Sequence, residues 1–273
     1  MNLDAALELL SRDPAAPLEP AELALRLAAD AYPALDVDAY LSELAGMAHE
    51  AGRYLRGDLE ARVAGLCRYL FHDMGFRGNV QNYHDPRNSY LNQVLDRRTG
   101  IPITLSAVAM VVGNRAGLDV SGVGLPGHFV ARAADGGREV LFDPFHGGRR
   151  LTAEQCGYLV TQVTGTPFEV TPEHLWPISL GMTVLRMLTN LKVVFLRRGD
   201  YPRAVRVLER LRQLSPEDPH QQRDLGIALL QGGQPGRAIE HLSAYLGAAP
   251  DGTDARDVTQ LLTRARGEVA RWN

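Results

Sequence analysis

The chain has 273 residues, 45% hydrophobic and 22% charged, which is long enough for two domains and apolar enough for a packed core. Its net charge of −3, with a basic side made almost wholly of arginine, leaves no basic footprint of the kind nucleic acid requires. Cys67 and Cys156 make no disulfide framework, so a reducing cytoplasm is the expected setting.

The opening MNLDAALELLSRDP is acidic and amphipathic and lacks the basic start and apolar core of a secretory signal. Residues 4–72 read as helices. Ala5, Leu7, Leu9 and Leu10 begin the first apolar face. The stretches 21–31, 37–54 and 59–72 carry apolar residues at three- and four-residue spacing. Residues 75–100 (GFRGNVQNYHDPRNSYLNQVLDRRTG) are rich in the Gly, Asn, Asp and Pro of turns, with a short helix predicted over 89–97. An apolar helix follows over 101–116, with Pro102 in its first turn, where a missing N–H costs nothing, and Gly117 as its stop. The apolar run 105–112 inside it is too short to cross a bilayer, and no membrane association is expected. Strands are predicted over 120–123, 128–133 and 139–142, the last two flanking the hairpin signal Asp135-Gly136-Gly137. A helix capped by Thr152 over 152–158 and a strand over 168–171 come next, and helices dominate from about 179. The expected class is α+β, divided into an N-terminal helical region at 1–74, a mixed core with a small antiparallel sheet at 75–175, and an all-α module at 176–273.

Residues 190–250 match themselves at an offset of 34: Leu191 with Leu225, Phe195 with Leu229, Gly199 with Gly233, Ala204 with Ala238, Leu208 with Leu242, Leu211 with Tyr245, and Pro216 with Pro250. That is the period of the tetratricopeptide repeat. The small Ala204 and Ala238 permit close helix packing, Gly199 and Gly233 suit the tight inter-helix turns, and the prolines end the second helices. Two repeats barely bury a continuous core, so they are expected to lean on the middle of the chain through 176–188 or on a capping helix from Asp254 to Trp272. Such modules bind proteins.

Any chemistry lies between Asn79 and Gly148. His128 opens one predicted strand, and Asp143 ends the strand paired with it, fifteen residues on. The hairpin would set an imidazole beside a carboxylate, the orienting half of a nucleophilic triad. The apolar helix from Pro102 would aim its N-terminus at the pair.

GFRGN at 75–79, NYHDPRNSYLNQVL at 82–95, RRTGIPITLS at 97–106, LPGHF at 125–129 and FDPFHGG at 142–148 together resemble the bacterial SirB-type proteins of the transglutaminase-like superfamily. The resemblance covers nearly the whole chain. It implies a papain-like core with nucleophile, His and Asp in that order, followed by tetratricopeptide repeats, in a family without an assigned reaction. In enzymes of that fold a cysteine stands about fifteen residues before the glycine that ends the core helix. Here that count from Gly117 reaches Pro102, or Ile103 or Thr104 with a slip. Cys67 and Cys156 read as small buried hydrophobes.

Three uses of the site follow. In the first, Thr104 or Ser106 is a hydroxyl nucleophile, with His128 as base and Asp143 as its orienter, making a hydrolase or acyl-transferase. In the second, His128, Asp143, His146 and His84 hold a metal, but no HExxH or paired CxxC spacing accompanies them, and no metal or cofactor is expected. In the third, His128 and Asp143 tie two strands and line a groove, with Asn82, Tyr83, Asp85, Arg87, Asn88 and His146 lining or bracing it. Arg77 and Arg97 are candidates to pair with Asp85 or Asp96. The leading expectation is the third: a protein- or peptide-binding factor, at most weakly catalytic, with a degenerate cleft and protein-binding repeats.

Overall fold

The structure, a computed structural model, describes residues 2–271. Packing divides the chain into two compact units, one comprising Ala15–Met187 and the other Leu3–Pro14 together with the chain from Leu188 onward.

In the larger unit, α2 (Pro20–Ala31), α3 (Val37–Ala51) and α4 (Leu59–Cys67) are amphipathic helices; α3 and α4 are capped by Asp36 and Asp58, whose carboxylates accept the N–H groups of Ala39 and Ala61. The predicted helix over 59–72 changes pitch after Cys67, where Arg68–Asp73 forms a π-helical turn. A 3-10 turn (Pro86–Ser89) leads into α5 (Leu91–Arg97), and α6 (Pro102–Arg115) follows. Every residue of α6 from Pro102 to Ala109 is buried, so the helix is apolar on all sides and runs through the core. Gly117 ends it at φ +87°, with its own N–H on the Asn114 carbonyl and that of Leu118 on the Gly113 carbonyl, a Schellman stop.

An antiparallel sheet lies against this helix in the order β3 (Asp119–Val123), β4 (Val130–Asp135), β5 (Arg138–Asp143), β6 (Arg149–Leu151); the two-residue strands β1 (Arg77–Gly78) and β2 (Thr99–Gly100) pair in parallel beside it. The hairpin turns at Gly136 and Gly137, both at positive φ. The sequence reading needs two corrections here. His128 stands in the turn before β4, because Gly127 at φ +68° interrupts the extended chain. Residues 168–171 form no strand; Phe168 and Val170 pack on a small cluster around Cys156 and Leu159 without a ladder partner, next to α7 (Ala153–Thr164).

Helix α8 (Leu180–Arg197) belongs to the larger unit up to Met187 and to the smaller one thereafter. In the smaller unit, α9 (Tyr201–Leu214), α10 (Pro219–Gln231) and α11 (Pro235–Ala248) continue the antiparallel series. The repeat-matched residues occupy equivalent sites: Leu191, Leu225, Phe195, Leu229, Ala204, Ala238, Leu208, Leu242, Leu211 and Tyr245 are all buried, and Gly199 and Gly233 both take positive φ. Helix α12 (Ala255–Ala270) closes on α11 through Val258, Leu262 and Ala265; Trp272, the expected end of the capping helix, lies outside the described residues. On the other side, α1 (Leu3–Arg12) buries Ala6, Leu7 and Leu10 and packs on α9, with Asp4 bonded to Arg210.

Gly226 of α10 lies tight against α11. A Cβ there would lie 2.7 Å from Leu242 Cγ and 3.1 Å from the Leu242 backbone nitrogen. Gly226→Ala should therefore lower stability by about 1–3 kcal/mol despite its better helix propensity. Urea denaturation of the full chain checks this, and an unchanged or higher midpoint contradicts the tight helix contact.

Candidate functional site

The site is built around the last residue of β5. Asp143 is fully buried, and both carboxylate oxygens are occupied. Oδ1 accepts the backbone N–H groups of Phe145 (3.0 Å) and His146 (3.3 Å), capping the 3-10 turn Pro144–His146. Oδ2 lies 3.0 Å from His128 Nε2 and 2.7 Å from His146 Nδ1. An ionised carboxylate only accepts, so each of these imidazole nitrogens carries the proton. That fixes His128 with Nδ1 as the nitrogen left for other chemistry. Burial alone would raise the Asp143 carboxyl, but the hydrogen bond and charge of His128, and then of His146, outweigh it and hold the group below the usual carboxylate range.

An aromatic rim surrounds this knot. The Phe145 ring lies edge-on to His128 at 6.0 Å, to His146 at 5.1 Å and to Tyr83 at 6.0 Å, while the two imidazoles stack at 5.9 Å. Arg186 of α8, which sequence reasoning missed, donates to the carbonyls of Leu125 (2.7 Å) and His128 (2.6 Å) and sits over the Phe129 ring. Its distance of 58 residues from His128 left no local signal. Burial lowers the pKa of this guanidinium and raises that of the Tyr83 hydroxyl; each charge opposes the other's shift.

The candidate nucleophiles are placed differently. The Thr104 hydroxyl is buried inside its own helix start. It accepts the Ile101 N–H (3.1 Å) and lies 2.8 Å from the Asn88 carbonyl and 3.1 Å from that of Ile101, to which it can donate. Ser106 is fully buried, and its Oγ has no hydrogen-bond partner among the described residues. Neither hydroxyl hydrogen-bonds His128. Asn88, also fully buried, braces the preceding loop: its Nδ2 donates to the carbonyls of Asn82 (2.8 Å) and Tyr83 (3.1 Å), and its Oδ1 accepts from Asn79. Asp85 caps the turn and pairs with Arg87 at 2.7 Å. Thus His128, Asp143, His146 and, through Phe145, Tyr83 come together; among the described residues Asn82, Asp85, Arg87 and Asn88 make no hydrogen bond to His128 or Asp143.

Cys67 was expected to be a buried hydrophobe, and it is one, with a thiol that burial pushes up to about 12. It also lies beside the site, which the sequence did not indicate: a Cβ on Gly148 would stand 2.5 Å from its Sγ, and a cavity of about 580 Å³ is lined by Cys67, Arg68, Phe71, His72 and Gly147. For a cation, the available ligand atoms are those of His128, Asp143 and His146, all within 4.8 Å of one another. The two carboxylate–imidazole separations, 3.0 and 2.7 Å, are hydrogen-bond lengths, shorter than the about 3.3 Å between ligands around a tetrahedral ion with 2.0–2.1 Å bonds. His84 is not part of that cluster.

Comparison with known proteins places these features. Residues 38–189 match the transglutaminase-like superfamily, and residues 191–263 match the tetratricopeptide repeat. A UPF0162 protein of Xylella fastidiosa is 36% identical over 83% of both chains, and one of Vibrio cholerae is 30% identical over 69% of this chain and 71% of its own. Human F-box only protein 21 is 30% identical over 57% of this chain but only 25% of its own length. Among solved structures, menin overlaps 96% of this chain and 74% of its own at 11% identity and a TM-score of 0.43, too loose a likeness to bear on fold or function. No helix among the described residues is long and apolar enough to cross a membrane.

Asp143→Asn keeps the shape but removes the charge that both imidazoles face, and should cost about 2–4 kcal/mol at pH 7. The sign with pH follows from the lowered carboxyl: its contribution is present above the unfolded value of about 3.9 and is lost as pH falls through the lower folded value. The wild-type chain should therefore lose stability below about pH 4 more steeply than the Asn variant. Denaturant midpoints from pH 6 to pH 2.5 test both expectations, and parallel acid limbs for the two chains contradict them.

Proposed function

The chain belongs to the transglutaminase-like superfamily, and from that premise we propose that it is a binding protein whose core keeps the superfamily's His and Asp in a cleft for a protein or peptide segment, without nucleophilic catalysis. The observation that carries this reading is the hydrogen bonding around α6. His128 and Asp143 face each other at 3.0 Å, while the hydroxyls nearest the expected nucleophile position are spent on the helix start or enclosed without contact to His128. A hydroxyl attacks only when a base takes its proton within about 2.6–3.2 Å, and neither Thr104 nor Ser106 has that arrangement. Burial holds both thiols protonated: Cys67, beside the site, is pushed up to about 12, and Cys156, within reach of the Asp143 charge, to about 11.

The tetratricopeptide repeats suggest protein–protein interaction, and their helical surface supplies a second place for a partner. The aromatic rim of Tyr83, Phe145 and the two imidazoles is the kind of surface that anchors a peptide side chain. The free, reduced Cys67 and Cys156 suit action in the cytoplasm.

A fluorophosphonate, which esterifies base-activated hydroxyls, separates this reading from the hydrolase alternative. The full chain should acquire no adduct at Thr104 or Ser106 by mass spectrometry. An adduct on either residue that disappears in His128→Ala would overturn the non-catalytic reading. Iodoacetamide at pH 7 should alkylate Cys67 at least roughly a hundredfold more slowly in the folded chain than in urea, because the folded thiol is almost never ionised.

A further inference from the structure

We propose that Arg77 and Arg97 form a subsite for an acidic side chain of a bound protein segment. The inference rests on the reading of the core as a protein-binding cleft and names what that cleft selects. Strands β1 and β2 bring the two arginines to one place: Arg77 pairs in register with Thr99, two residues beyond Arg97, through its N–H on the Arg98 carbonyl. They line a cavity of about 580 Å³ with Asn79, Gln81 and Thr99, and none of its lining residues is acidic.

Both cations lack a close counter-charge. Arg77 makes no ion pair among the described residues. Arg97 reaches its nearest carboxylate, Asp85, only at 4.0 Å, and that carboxylate is already held at 2.7 Å by Arg87. Its side chain is one-quarter exposed, so the charge is poorly solvated. Other arginines of this unit are treated differently: Arg98, next in the chain, faces Glu43 at 2.9 Å, and Arg115 faces Glu19 at 3.1 Å. Two incompletely paired guanidiniums on one polar cavity favour an oxyanion, and their planar fork fits a carboxylate with two parallel hydrogen bonds.

The cavity adjoins the aromatic rim. Gly78, which lines it, lies so close to Phe145 that a Cβ would stand 2.5 Å from the Phe145 carbonyl oxygen and 2.7 Å from its ring. That ring in turn lies edge-on to His128 at 6.0 Å. An extended segment crossing the rim therefore has room for a Glu or Asp side chain in the arginine cavity. The remaining lining mixes the Asn79 and Gln81 amides and the Thr99 hydroxyl with the exposed side chain of Val80.

The test uses the full chain and fluorescence anisotropy with fluorescein-labelled hexaglutamate and hexaglutamine. Hexaglutamate should bind the more tightly, and less so as salt rises. Arg77→Gln combined with Arg97→Gln should weaken it roughly tenfold or more without affecting hexaglutamine. Arg77→Gln alone, at an exposed residue, should give part of that loss without threatening the fold, and Arg77→Lys should restore some of it. Arg53→Gln, remote and paired with Glu50, should change nothing. Equal binding of the two peptides, with only Phe145→Ala weakening them, leaves the cleft standing and overturns the acidic subsite. Loss on the arginine substitutions but none on Phe145→Ala keeps the subsite and overturns the cleft. Full displacement of hexaglutamate by equimolar inorganic phosphate makes the cavity a phosphate site and overturns the acidic-peptide assignment. Failure of both peptides to bind the wild-type chain overturns the subsite and the cleft together.

Discussion

The larger unit is organised around one buried carboxylate. Taking Asp143 out of water is costly unless every lone pair finds a donor. Four donors meet it, two from the backbone of the following turn and two from imidazoles. Satisfying Oδ1 forces the chain to fold back at once after β5, which makes Pro144–His146 a tight turn and sets Phe145 on the rim. The return runs through Gly147 and Gly148, both at positive φ, and the Gly148 N–H comes back to the Asp143 carbonyl at 2.8 Å. Gly148 then passes so close to Cys67 that no side chain fits. A single charge thus ties together the end of the sheet, the aromatic rim and the packing of α4.

The same constraint gives the pair a structural role of its own. In a triad the carboxylate serves the imidazole, and the imidazole serves an attacking group. Here the carboxylate also serves His146 and two backbone amides, so its burial is repaid structurally whether or not anything is attacked. The start of α6 has been put to structural use in parallel. Thr104 closes the first turn onto Ile101 and reaches across to the Asn88 carbonyl, while Asn88 holds the loop through Asn82 and Tyr83. These hydrogen bonds hold the loop against the helix start.

Much of this was legible in the sequence where the signal is local. Pro102 and Gly117 bracket α6 because a missing N–H and a left-handed stop each act within a turn. The Gly136-Gly137 turn fixes the register that sets Ala131 opposite Phe142, and with it the meeting of His128 and Asp143. The offset of 34 carries the repeats because each matched residue occupies the same buried niche. What escaped was either too short to have a period or too distant to be seen. Strands β1 and β2 have two residues each and β6 three. The 168–171 run has the composition of a strand but packs half-buried Phe168 and Val170 against α7 instead of pairing. Arg186 and Cys67 reach the site from far along the chain, and among the described residues Arg77 pairs with no acid although Asp85 lies only eight residues away in sequence.

The smaller unit follows the logic of one-dimensional repeats, in which each helical pair buries only the face its neighbour covers. Two repeats leave two apolar faces open. Helix α12 covers one with Val258, Leu262 and Ala265. The other is met by α1, from the opposite end of the chain, with Ala6, Leu7 and Leu10. Recruiting the N-terminus closes the repeat stack without a third repeat, and it joins residues more than 200 positions apart, as Asp4 and Arg210 show. A protein-binding surface needs only such a closed stack, since the apolar faces are satisfied internally and the polar faces are left for a partner.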